Sequence, residues 1–143
     1  MSRVLGDGWA LPGLDALNRA FFTSGKLVLQ QCRACAHLQH PPEEVCEACQ
    51  GFEFQDFVSA GEGRVESVAV AHHPVHPALK GRTPYAIVLV SVADAPGLLI
   101  AGNVVTDSPE AVRIGDAVRV VFEDVTDPAG GQRYTIPQWE IAG

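Results

Sequence analysis

Positive charge is scarce in this chain, and there is no fifth cysteine. Ten Lys and Arg stand against seventeen Asp and Glu across 143 residues, a formal net charge of −7. Binding nucleic acid requires a cationic surface that displaces counterions from phosphates, and this balance has the wrong sign. Aromatic residues amount to only 7%, which leaves few platforms for stacking bases. Apolar runs are short as well. Ala86 to Val90 is among the longest, far below the roughly twenty residues that cross a bilayer. No charged-then-apolar segment follows Met1, so a reducing, cytoplasmic location is expected. No Gly-x-Ser-x-Gly elbow occurs, and Gly61-Glu62-Gly63 lacks the third glycine and the helix of a dinucleotide loop. With no nucleophile and base pair visible, a stand-alone enzyme is the weakest reading.

The four cysteines form two matched pairs, Cys32-Arg33-Ala34-Cys35 and Cys46-Glu47-Ala48-Cys49. A C-x-x-C turn aims two thiolates at one centre, and a second turn completes a tetrahedron around Zn²⁺. Iron suits the same four thiolates. Two disulfides are the remaining alternative, disfavoured in a reducing compartment. Hydrophobic residues at 47% and charged residues at 19% predict a real core. The length fits one domain, or a small one with an appended module.

Along the chain, residues 1–13 read as an extended arm. Leu14, Leu17, Phe21 and Phe22 recur at helical spacing, with Gly25 as a stop, which predicts a short helix over 14–24. A strand over 27–31 enters the first cysteine turn, and Pro41-Pro42 stiffens an extended connection to the second. Phe52, Phe54 and Phe57 suggest a half-buried strand, giving a zinc ribbon over 27–58 whose folding depends on its metal. Five strand-like stretches follow: 64–72, 85–92, 98–105, 118–125 and 135–141. The fold expected is mainly β: a short N-terminal helix, the ribbon, then a five-stranded OB barrel over 59–143. Gly61 and Gly63 permit a bend or bulge before the first barrel strand, and Ser108 to Ala111 suggests one helical turn. An immunoglobulin-like sandwich is the alternative, but five strands are too few.

Other clusters have plainer readings. His72-His73-Pro74-Val75-His76-Pro77 contains three imidazoles, yet neighbouring strand residues face opposite ways and the prolines indicate a rigid loop. A second metal there is disfavoured against a solvated loop or a contact with a partner or phosphate. His37 and His40 are expected to make hydrogen bonds or lie on the surface rather than replace a thiolate. Glu123, Asp124 and Asp127 flank a turn before Gly130-Gly131 and read as a solvated hairpin.

With the cysteines, the segments 60–67 (Ala-Gly-Glu-Gly-Arg-Val-Glu-Ser), 84–90 (Pro-Tyr-Ala-Ile-Val-Leu-Val) and 112–118 (Val-Arg-Ile-Gly-Asp-Ala-Val) carry a likeness. The order of parts resembles the zinc-ribbon/OB-fold acyl-CoA-associated protein family, whose ribbon is rubredoxin-like. That resemblance implies a non-catalytic subunit of a thiolase-like enzyme (retro-aldolase, thiolase or acyltransferase) acting on acyl-CoA thioesters, in some cases in steroid side-chain degradation. It also implies an acyl-CoA ligand shared with that partner. Metal ligands are expected at Cys32, Cys35, Cys46 and Cys49. Contacts to CoA phosphates are expected from His73, His76, Lys80 and Arg82, and a partner surface from Trp9, Leu14, Phe21, Phe22 and Tyr85. The family often has Gly after each second cysteine; here Ala36 and Gln50 stand there, a departure that costs strain of order 1 kcal/mol without removing a ligand. The alternative function is a nucleic-acid-binding ribbon/OB protein, which the charge argues against.

Overall fold

A computed structural model describes residues 4–5 and 8–143. Helix α1 (Arg19–Thr23) is followed by β1 (Leu27–Cys32), β2 (Leu38–Gln39) and β3 (Phe54–Ser59). These three strands form an antiparallel sheet in the order β2-β1-β3. The remaining strands are β4 (Glu62–Ala71), β5 (Tyr85–Val92), β6 (Leu99–Val104), β7 (Ala117–Thr126) and β8 (Arg133–Ile141). They close a barrel in the order β4-β5-β6-β8-β7, the five-stranded OB arrangement expected from the strand pattern. A 3₁₀ turn at Pro109–Ala111 lies between the third and fourth barrel strands, where the sequence suggested one helical turn.

The helix is shorter than its apolar spacing predicts. Residues 14–18 precede it, and there Asp15 and Asn18 bond each other's backbone in a capping turn. The Asp15 carboxylate accepts the N–H groups of Leu17 and Asn18, each at 2.8 Å, and Asn18 Oδ1 accepts the Asp15 N–H at 2.9 Å. Such side-chain bonds satisfy N–H groups that lack a partner at the start of a helix, and the Arg19 N–H still reaches the Asp15 carbonyl at 3.2 Å. The helix packs on β8 as well as β1. Phe21 reaches the barrel core this way, so the burial that the ribbon alone is too small to supply comes from the barrel.

One apolar cluster joins both sheets. Leu27 and Leu29, each 1% exposed, pack with Val65, Val88, Val90, Ile100, Val118 and Trp139. Inward residues alternate along β5 (Ala86, Val88, Val90, Val92) as a strand with one solvated face requires. A bulge separates Val65 from Ser67 on β4. Here Gly63 lets two strands approach: a Cβ at that position would lie 2.4 Å from the Ser91 carbonyl oxygen. The parallel β6–β8 seam is short, a single bridge at Val104 and Trp139. Side chains extend it, since Gln138 Oε1 accepts the Asn103 N–H at 2.7 Å.

Candidate metal centre and the barrel surface

Strand β1 delivers Cys32 to the rim of the ribbon, and two turns of matching construction follow. In the first, the Ala36 N–H reaches the Cys32 carbonyl and the Cys32 N–H the His37 carbonyl, both at 2.9 Å; in the second, Gln50 and Cys46 repeat this with Cys46 and Gly51 at 2.9 and 2.8 Å. Ala36 and Gln50 take positive φ, 64° and 62°, at the two places where the sequence lacks the favoured glycine. Backbone N–H groups also point at sulfur. Cys32 receives those of Cys35 and Ala34, Cys46 those of Cys49 and Ala48, Cys35 that of His37, and Cys49 that of Gly51.

The second turn sits on a loop with little regular structure, and two buried glutamines hold it. Gln30 Nε2 donates to the Glu43 carbonyl at 2.8 Å and its Oε1 accepts the Glu43 N–H at 3.0 Å. Gln39 donates to Gln30 Oε1 at 2.7 Å and accepts the Glu47 N–H at 3.0 Å. Outside, His37 Nε2 and Glu47 Oε1 meet at 2.7 Å and clasp the two turns together. His40 is half-buried beside the Phe21 ring, 4.9 Å between centroids, and burial pushes its imidazole below the ordinary value. The cluster of candidate ligand atoms among the described residues contains the four cysteines and neither of these histidines.

All four Sγ atoms lie within 4.8 Å of one another. Across the turns, Cys32 and Cys49 are 3.6 Å apart and Cys35 and Cys46 are 3.7 Å apart. A tetrahedral S₄ site with Zn–S near 2.3 Å has sulfur–sulfur edges of about 3.8 Å, so the donor set fits such an ion. Neither pair is a disulfide. Without a cation the thiols compete for protons. The Cys35 N–H is the main influence lowering Cys32 to about 7. At Cys49 the Gly51 N–H favours the thiolate, but the facing Cys32 and Cys35 sulfurs and burial push the group up to about 12. One bound cation removes that conflict by ionising all four.

The other candidate residues are dispersed. His76 caps the 3₁₀ turn Pro77–Leu79 by accepting the Ala78 N–H at 3.1 Å, and its ring meets Trp9 edge-on at 5.0 Å. His73 and Lys80 are exposed on the same loop and Arg82 is half-buried. Trp9 and Tyr85 pack with Val4, Leu79, Ala71 and Val105 in a second apolar cluster. Leu14, Phe21 and Phe22 are half-buried around the helix.

One reading is corrected. Glu123 is not part of a solvated hairpin: it is 2% exposed and accepts the N–H groups of Val4 and Leu5 at 2.5 and 3.2 Å. Its carboxylate anchors the N-terminal arm to the barrel, and Tyr134 adds a bond to the Pro12 carbonyl at 3.1 Å. Asp124 does lie outside, paired with Arg133 at 2.7 Å. Asp94 was also missed; it takes the Ser59 hydroxyl at 2.6 Å and the Ala60 N–H at 2.8 Å where the ribbon enters the barrel. Nothing near these carboxylates in sequence marks them as buried or bridging.

Residues 20–55 match the ChsH2 rubredoxin-like zinc ribbon domain and residues 58–123 the ChsH2 C-terminal OB-fold domain. A solved structure titled Ltp2-ChsH2(DUF35) aldolase superposes with a TM-score of 0.75 at 33% identity, covering 93% of this chain and all of that one. The chain belongs to the ChsH2 (DUF35) family. A probable enoyl-CoA hydratase alpha subunit from Thermomonospora curvata is 37% identical over 107 residues. This ChsH2-type chain spans about a third of that protein, since the match covers 73% of the former and 32% of the latter. A DUF35 domain-containing scaffold protein from Methanothermobacter thermautotrophicus is 26% identical over 98 residues, 68% of this chain and 71% of that one. The four cysteines thus lie in a recognised ribbon and form its metal-binding cluster. No helix among the described residues is long and apolar enough to cross a membrane.

Proposed function

We propose that this chain is a non-catalytic, zinc-binding subunit that assembles with a thiolase-like enzyme acting on acyl-CoA thioesters. The observation that carries the reading is the match along nearly the whole chain to one component of an aldolase assembly. Retro-aldol cleavage is therefore favoured over condensation or acyl transfer, and steroid side-chain thioesters are the substrate class the family resemblance suggests. Zinc through Cys32, Cys35, Cys46 and Cys49 holds the ribbon in shape. Three units follow: the arm and helix over 1–26, the ribbon over 27–58 and the barrel over 59–143.

The outward face of β5 and β6 supports a protein partner over a nucleic acid. Outward residues of β5 and β6 are Ile87, Leu89, Ser91, Leu99, Ala101 and Asn103, with no cation or aromatic ring to hold phosphates or bases. The proposed partner surface is the arm and helix, centred on Trp9, Leu14, Phe21 and Phe22, together with Tyr85. His73, His76, Lys80 and Arg82 face the shared acyl-CoA. Reconstitution with the thiolase-like subunit from the same source tests this: thioester turnover should require both chains, and steady turnover by this chain alone defeats the proposal.

A further inference from the structure

The four sulfurs of the metal cluster are not equivalent. Cys32 and Cys46 are each 1% exposed and each receives two backbone N–H groups. Cys35 and Cys49 are exposed and each receives one. Hydrogen bonds withdraw electron density from a thiolate, and burial blocks approach, so nucleophilicity concentrates on the outer pair. The flanking Ala34, Ala36 and Ala48 are small and exposed.

We propose that Cys35 and Cys49 are modification sites for two-electron oxidants such as hydrogen peroxide, and that oxidation cross-links the two turns instead of closing either one. The Cys35 thiolate attacks a peroxide oxygen, giving a sulfenic acid and hydroxide. The thiolate nearest across the turns, Cys46 at 3.7 Å, then displaces a second hydroxide and forms the Cys35–Cys46 disulfide. Cys49 is converted in the same way with Cys32, 3.6 Å away. Each disulfide uses one peroxide and two protons, yields two waters, and removes two of the four metal ligands. The His37–Glu47 contact keeps the turns adjacent while this happens. The cluster is thereby a redox-sensitive fastening for the ribbon.

The sequence makes the test direct. Arg33 separates Cys32 from Cys35, and Glu47 separates Cys46 from Cys49, so trypsin with a glutamyl protease places every cysteine on its own peptide. Zinc-loaded protein is treated with hydrogen peroxide; metal release is followed with a chromogenic chelator, and disulfides are mapped by mass spectrometry without reduction. About one equivalent of zinc should appear, together with Cys35–Cys46 and Cys32–Cys49 peptides. A brief exposure of untreated holoprotein to a maleimide should label Cys35 and Cys49 several-fold faster than Cys32 and Cys46. Equal labelling, faster labelling of the inner pair, or disulfides within the turns overturns the proposal. No variant is needed, so misfolding cannot imitate either outcome.

Discussion

Glu123 binds the backbone of Val4 across 119 positions of sequence, with the buried carboxylate 2.5 Å from the Val4 nitrogen. The contact fastens the first described residues of the arm to the middle of β7. Replacing Glu123 by Ala leaves two buried N–H groups without an acceptor, at a cost of about 2 to 3 kcal/mol. Glu123→Gln keeps an oxygen and should cost less. Urea unfolding of the two variants measures the difference, and an Ala variant as stable as the parent refutes the anchor.

The bulged strand gives a second expectation. A Cβ on Gly63 would meet the backbone oxygen of Ser91 at 2.4 Å, and one on Gly61 would meet the Val120 side chain at 2.2 Å with φ at +77°. Gly63→Ala should destabilise by about 2 kcal/mol or more because the β4–β5 backbone must part. Thermal unfolding decides this; an unchanged midpoint removes the close approach from the account.

Much of this architecture can be read from the residues, for identifiable reasons. The cysteine turns declare themselves because ligand spacing is local, and the barrel strands because alternation such as Tyr85 to Val92 follows from one buried face. Glu123 cannot be distinguished from its exposed neighbour Asp124 by any local signal, since its burial is created by residues 118 and 119 positions away. Helical spacing over 14–18 overshoots because those residues form the turn that leads into the helix, capped by Asp15 and Asn18 on each other's backbone. Gln30 and Gln39 look like ordinary surface residues until the loop they hold is in place.

His40 makes stability depend on pH. Burial lowers its imidazole below the ordinary 6.5, so near that value the unfolded chain takes up a proton that the folded chain refuses. Stability is therefore full above about 6.5 and declines as pH falls from there toward the depressed folded value. His40→Leu should flatten this component. Comparing urea midpoints of parent and variant at several pH values isolates it from metal loss, and an identical pH dependence contradicts it.

Cys46→Ser should release the metal and expose β1 to β3 to solvent, while Leu27 and Leu29 keep a foothold in the barrel core. Amide hydrogen exchange should accelerate across residues 30–57 and remain slow in β5 and β8. Uniform acceleration throughout the chain contradicts a separately fastened ribbon.

The central claim is assembly with a thiolase-like subunit. The most direct measurement is light scattering of the two chains on a sizing column, with thioester turnover assayed across the peak. A stable heteromer with activity absent from either chain is predicted; Phe22→Ala should weaken it by about 2 kcal/mol, and Arg82→Ala should assemble normally with a raised KM. Two separate peaks at micromolar concentration, or turnover by this chain alone, contradicts the account.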